Sequence, residues 1–188
     1  MVKLTKIYTR TGDAGTTGLV DGSRVAKDAA IVQAMGDVDE ANSALGVAIV
    51  ALGDGADAAT LRTIQNDLFD VGADLATPES IDGALRIVPE QVARIEAAID
   101  RVNDGLSPLT SFVLPGGSGA AAALHLARAI VRRAERSSVA ASHAAGLNPH
   151  LLSYLNRLSD FLFVLARAMN QNGRDDVLWV PGGERPIP

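Results

Sequence analysis

Apolar residues recur along most of this chain at spacings of three and four, the period of a helix that buries one face. Val38, Ala41, Leu45 and Ala48 form the first stripe, in a helix that runs from about Val25 to Gly53-Asp54-Gly55. Leu61, Ile64, Leu68, Val71 and Leu75 form the second, and Thr77-Pro78 ends it, because a residue before proline is pushed out of the helical region. Pro89 suits a first helical turn, and Val92, Ile95, Ile99 and Val102 carry a third stripe to Asn103-Asp104-Gly105. After the proline- and glycine-rich SPLTSFVLPGGSG, a fourth helix is predicted from about Ser118 to Ala145. Asn148 as cap and Pro149 open the fifth, where Leu151, Leu155, Leu158, Leu162, Leu165 and Met169 make a heptad-like stripe ending at Asn172-Gly173.

The two ends lack this period. Residues from Lys3 to about Ser23 are rich in Gly, Thr and Asp and read as a loop with a short strand at Ile7 to Thr9. The tail VLWVPGGERPIP holds the only tryptophan and is expected to lie extended against the helices. Each stripe needs a neighbouring stripe to bury it, so the pattern predicts an all-α, five-helix up-and-down bundle. Its 188 residues form a single domain divided into an N-terminal loop (1–24), the bundle (25–172) and the tail (173–188).

Composition sharpens this. Hydrophobic residues make up 47% but aromatic ones only 4%, which calls for an aliphatic, alanine-rich interior of packed helices rather than a sandwich. A net charge of -5 argues against a general duplex nucleic-acid binder, which needs an extended basic surface. The absence of cysteine removes disulfides and thiolate metal sites. No apolar run reaches the roughly 20 residues of a membrane span, and MVKLTKIYTRTGD lacks an apolar secretory core, so a cytoplasmic protein with no membrane partner is expected.

Against that acidic background Arg128, Arg132, Arg133 and Arg136 crowd into LHLARAIVRRAERS. At about 100° per residue Arg128, Arg132, Glu135 and Arg136 share a face, with Leu124, Ala127, Val131 and Ala134 beside it. Guanidinium forks suit phosphate oxygens, so this helix is a candidate polyphosphate site. An interface or solvated helix held by Arg–Glu pairs is the other reading of the same residues. Thr9-Arg10-Thr11-Gly12 with Thr17 and Gly18 offers glycines for close backbone approach and hydroxyls for anions. It is neither a Walker A loop nor a dinucleotide fingerprint, and an ordinary polar loop fits equally. Asp37, Asp39 and Glu40 lie early in the first helix, and Asp39 is the carboxylate expected to be covered and paired with an arginine of the fourth. Asn156 is a candidate for an adenine edge or a phosphate, and Phe112 for a core plug or a wedge against a flat ligand. His125, His143 and His150 fit no zinc or di-iron pattern, so any magnesium would arrive on nucleotide phosphates.

Together, TRTGDAGTTGL, GDVDEANSALG, FVLPGGSGAAAALHLARAIVRRAER and NRLSDFLFVLAR resemble the PduO-type ATP:cob(I)alamin adenosyltransferases in order and over nearly the whole chain. The resemblance implies a homotrimeric five-helix bundle with active sites between subunits and no hydrolytic triad. It implies transfer of the 5'-deoxyadenosyl group from ATP to reduced cobalamin, with triphosphate released and magnesium riding on ATP. On matching positions it makes the N-terminal segment a nucleotide-binding loop, with Thr9, Arg10, Thr11, Gly12, Thr17 and Gly18 around the triphosphate. Lys27, Arg132, Arg133, Ala134, Glu135, Arg136 and Asn156 complete that ATP end. Arg128 becomes the partner of Asp39 across a subunit boundary, Arg132 a catalytic residue, and Phe112 the cobalamin-binding aromatic that covers the lower cobalt face. Many relatives carry lysine where this chain has Ala14, so one phosphate-neutralising group is missing. A cobalamin reductase and an adenosylcobalamin-dependent client enzyme are the further partners implied. A non-catalytic ATP/cobalamin sensor or delivery partner is the competing reading, and Phe112, Asp39 and Arg128 argue against it.

Overall fold

Helices form where the apolar stripes run, each closed by its local chemistry. The computed structural model describes residues 7–182. Helix α1 spans Ala30–Leu52, α2 Ala56–Leu75, α3 Pro89–Asn103, α4 Gly119–Ser142 and α5 Pro149–Met169. Asn148 Oδ1 accepts from His150 N at 3.0 Å as the expected cap, and Ser118 Oγ accepts from Ala121 N at 3.1 Å, so both satisfy donors that a helix start leaves open. Gln91 Oε1 turns back to accept from Val88 N at the start of α3.

The N-terminal segment departs from expectation. Residues 7–9 form no strand, and α1 starts at Ala30 rather than near Val25. Instead β1 (Thr16–Gly18) pairs antiparallel with β2 (Arg24–Ala26), Thr17 opposite Val25. Asp21-Gly22 supplies the turn, with Gly22 at φ 81° and Gly22 N bonded to Leu19 O. That aspartate-glycine step between β-prone residues is a hairpin signal, and it outcompetes the helix that the downstream period would extend backwards.

Helix α1 packs on α2 and α4, α4 on α5, and α5 on α3. Chain direction alternates along the sequence. Asn148 Nδ2 bonds Asp74 Oδ2 and Ile87 O, both at 2.8 Å, which gathers the start of α5, the end of α2 and the lead into α3 at one end. At the other end Ser118 Oγ donates to Met169 O, joining the start of α4 to the end of α5. Alanines repeat every seven residues on the two helices that pack most extensively, Ala34, Ala41 and Ala48 on α1 and Ala127, Ala134 and Ala141 on α4, and all six are buried. Such small side chains let two helix backbones approach closely. Helix α5 supplies the bulk of the core, with Tyr154, Leu155, Leu158, Phe161 and Leu162 fully buried. Among the described residues no helix is long and apolar enough to cross a membrane.

Candidate active site

Helix α4 carries the candidate chemistry along its length. Arg132 and Arg136 are exposed, and Arg136 Nη1 donates to Arg132 O at 2.9 Å, which folds one guanidinium back along the helix. Arg133 turns towards α1, where Nε lies 3.4 Å from Asp37 Oδ1 and Nη2 pairs with Glu40. The bond to Glu40 raises the Arg133 pKa above its ordinary value. Asp37, only 5% exposed, also accepts from Gln33 Nε2 at 3.0 Å and from the Ser137 hydroxyl. The carboxylate that α4 covers is therefore Asp37, while Asp39 is exposed and has no ion pair among the described residues of this chain. Two residues along a helix turn a side chain by about 200°, so burying Asp37 points Asp39 outward.

Ala134, between these arginines, is fully buried, and its methyl belongs to the core. Glu135 accepts from Asn156 Nδ2 at 2.8 Å, and Asn156 Oδ1 accepts from Arg157 Nη1 at 2.6 Å. Asn156 is thereby held between α4 and α5, with its orientation fixed by charged groups on both sides.

The N-terminal loop is built around a residue that sequence reasoning missed. Arg24 Nη2 donates to Thr11 O at 2.8 Å, Thr16 O at 3.0 Å and Thr16 Oγ1 at 2.8 Å, closing residues 11–16 into a curl. Thr9 Oγ1 and Thr11 Oγ1 lie 2.9 Å apart, and Arg10 adopts φ 62°, a left-handed conformation uncommon outside glycine. Lys27 N bonds Gly15 O at 2.9 Å, and its ammonium lies over Gly12. A Cβ at position 12 would stand 3.1 Å from Lys27 Nζ and 3.3 Å from Thr16 O, so glycine there leaves room for the cation. The hairpin is tied to the bundle by Val20 N bonding Ala76 O at 3.2 Å. This loop leads into α1, and α1 binds the second half of α4 through Asp37. The loop and Arg132–Arg136 therefore occupy the same end of the bundle, but no hydrogen bond joins them among the described residues.

The first half of α4 walls a different cavity, of about 660 Å³, with Phe112, His125, Arg128, Phe163 and Trp179 around it. That volume lies within the range of small-ligand pockets. Phe112 projects from the α3–α4 loop, 78% exposed, with Trp179 edge-on at 6.1 Å and 72°. Arg128 Cζ sits 5.3 Å over the Phe163 ring, and burial, followed by the charge of Arg132, lowers its pKa from the ordinary value. His125 is 3% exposed, meets Phe163 edge-on at 6.2 Å, and has a buried Nε2 with no hydrogen-bond partner. Burial, then the charge of Arg128, depresses its pKa below the ordinary histidine value. Of the residues in this cavity the sequence pointed to Phe112 and Arg128. His125, Phe163 and Trp179 carried no distinguishing spacing.

Eight residues of α4 separate Arg128 from Arg136, an axial step of about 12 Å. One helix thus presents guanidinium groups beside a glycine-threonine loop and, two turns away, an aromatic cleft. Fold and site together define a helical bundle with exposed arginines at one end of α4 and an aromatic cleft along its other half. The model of the cobalamin adenosyltransferase family matches residues 7–169. A corrinoid adenosyltransferase of Mycobacterium tuberculosis is 55% identical over 191 residues, covering 98% of this chain and 97% of that one. The corrinoid adenosyltransferase of Bacillus subtilis is 44% identical, covering 92% of this chain and 91% of its own. Among solved structures, a variant PduO-type ATP:corrinoid adenosyltransferase from Lactobacillus reuteri complexed with cobalamin and ATP aligns at TM-score 0.87 and 37% identity, over 93% of this chain and 99% of that one. The chain belongs to the cobalamin adenosyltransferase family.

Proposed function

We infer that this chain transfers the 5'-deoxyadenosyl group of ATP to cob(I)alamin, forming adenosylcobalamin and releasing triphosphate. The observation that carries this reading is the pairing, on α4, of exposed arginines with an aromatic cleft about two turns away, in a chain so similar to named corrinoid adenosyltransferases. ATP binds at the loop end, where the curl of Thr9 to Gly12 with Thr17 and Gly18, Lys27, Arg132 and Arg136 surround the triphosphate. Arg133 is oriented by Asp37 and Glu40, and Asn156 by Glu135, so both enter the site with little freedom left to lose. Magnesium enters on the ATP phosphates, the usual way that ion reaches a nucleotide site. The corrin lies in the aromatic cleft, with Phe112 against the lower cobalt face, where it excludes an axial ligand.

The chemistry asks little of side chains as acids or nucleophiles. The electron pair of Co(I) forms the bond to C5', the C5'–O bond breaks, and its pair leaves with triphosphate. The protein aligns the two substrates and stabilises the leaving charge. A homotrimer with sites between subunits completes the arrangement. In it Arg128 meets Asp39 of the neighbouring subunit, and the arginines of one copy face the loop of another. Phe69, exposed on α2, lines with Asp39 a cleft of about 510 Å³, and Val50 is exposed farther along α1, which supports such an interface. The substrate must be supplied by one-electron reduction of cob(II)alamin and the product consumed by an adenosylcobalamin-dependent enzyme. A cytoplasmic location, where ATP and reductant are available, fits these needs.

The decisive experiment mixes protein, ATP, magnesium and chemically reduced cobalamin without oxygen. The adenosylcobalamin spectrum should appear with one triphosphate per turnover, and Arg132→Ala should abolish or severely weaken turnover with an unchanged melting temperature. Nucleotide binding without product would favour a sensor, and near-normal turnover by the variant would remove Arg132 from the catalytic set.

A further inference from the structure

The tail after α5 makes specific contacts with the Phe112 loop. Leu114 N donates to Val177 O at 2.8 Å, Trp179 N to Phe112 O at 2.7 Å, and Ser111 Oγ to Trp179 O at 2.9 Å. Three hydrogen bonds in four loop residues make a short antiparallel ladder centred on the Val113–Leu178 bridge. It fixes the backbone of Phe112, while the indole of Trp179 meets the phenyl ring edge-on.

The ladder is itself anchored to the bundle. Asp176, immediately before it, accepts from Arg167 Nε at 2.8 Å and Asn170 Nδ2 at 3.1 Å, in a pair with side chains only 6% and 2% exposed. The same two residues grip both ends of the Phe112 loop. Arg167 Nη2 donates to Ser107 O at 2.9 Å, Asn170 Nδ2 reaches Gly116 O, and Asn170 Oδ1 accepts from Ser118 N at 3.0 Å. Gly117 is part of the device, since at φ 97° any Cβ there would collide with the Asn170 amide. Loop and tail are thus clasped at one point on α5 and laced together beyond it.

We propose that residues 177–179 are a positioning strap for Phe112, in which Trp179 braces the ring that closes the lower cobalt face and forms a second aromatic wall of the corrinoid cleft. The proposal rests on the reading of that cleft as the corrinoid site. Excluding a ligand from cobalt requires the phenyl ring to keep its place within a fraction of an ångström. A ring 78% exposed on a 15-residue connection has no such constraint of its own. Backbone pairing removes the freedom of the loop, and the edge-on indole removes that of the side chain.

Trp179 is the only tryptophan, so its emission reports on this contact without added label. In ligand-free protein Phe112→Ala should shift that emission to the red as the indole loses its cover, and unchanged emission would overturn the packing itself. With ATP and cob(II)alamin, Trp179→Ala should keep its melting temperature and ATP affinity, because the strap lies at the end opposite the nucleotide loop. Its four-coordinate cob(II)alamin, measured by electron paramagnetic resonance, should fall about 2- to 10-fold relative to five-coordinate, the range an aromatic pair contributes. Trp179→Phe should recover most of it. Ser111→Ala, which leaves the core untouched, should lower the signal in the same direction and serves if Trp179→Ala folds poorly. A wild-type four-coordinate fraction in Trp179→Ala and Ser111→Ala overturns the strap, whereas no cobalamin binding by the parent protein overturns the cleft assignment.

Discussion

Arg24 shows how much one guanidinium can organise. It donates to two carbonyls and a hydroxyl, tying Thr11 in the loop to Thr16 at the start of β1. Removing it should leave the bundle intact, since the residue is exposed and far from the core. Arg24→Ala is expected to raise the KM for ATP about tenfold, equivalent to ~1.4 kcal/mol, with little change in melting temperature. Steady-state kinetics at saturating cobalamin would measure it, and an unchanged KM would show that the curl forms without its clamp. Nothing in the local sequence distinguishes Arg24 from Arg10, because its role depends on a hairpin that sets Arg24 opposite Gly18, with its side chain in reach of Thr16. Asp37 and Asp39 teach the same lesson on a helix. Both lie early in α1, yet the rotation of α1 against α4 decides which is buried, and that rotation is set by alanines elsewhere.

Among elements, α2, α3 and α5 are joined by a buried polar centre rather than by apolar contact alone. Asp67, 6% exposed, accepts from Tyr154 Oη at 2.8 Å, Gln91 Nε2 at 3.0 Å and Arg94 Nη2 at 2.5 Å. Burial, then the neighbouring Asp67 carboxylate, raises the Tyr154 pKa above its ordinary value, which keeps the phenol a donor at neutral pH. Asp67→Ala strands that buried hydroxyl and takes an acceptor from Gln91, while Arg94, half exposed, turns to water. The expected cost is about 3 kcal/mol, against about 1 kcal/mol for Tyr154→Phe, which leaves the carboxylate its other partners. Denaturant unfolding would rank the two, and equal or reversed costs would contradict the account. This centre was illegible in sequence, because its four members lie on three helices and follow no common spacing. The helices themselves were legible, since period and caps are local properties that tertiary structure did not override. The hairpin was the exception, where a two-residue turn signal was read as loop.

At the scale of the whole molecule, the loop and the arginine face share one end of the bundle without touching, and Asp39 lies exposed on α1. The site between subunits proposed above would account for both. The expectation is specific: Asp39→Ala and Arg128→Ala should each lose most activity, yet mixing the two variants under exchange conditions should restore part of it. A mixed interface can draw Arg128 from one chain and Asp39 from the other, so recovery requires sites between subunits. No recovery, with exchange shown by mass spectrometry of mixed oligomers, would place both residues within one chain. Motif order and arginine spacing made the candidate chemistry readable from sequence. The strap was not, because an extended tail acquires meaning only from the loop it meets.

Helix α4 also acts as a ruler. An unbroken run from His125 to Arg136 converts residue number into a fixed distance and a fixed angle between the cleft and the arginines. One inserted residue between them would lengthen that distance by about 1.5 Å and rotate one set away from the other by about 100°. Accommodation of bulkier or smaller corrinoids therefore falls to the parts without such arithmetic, the α3–α4 loop and the tail, where insertions change reach without changing phase.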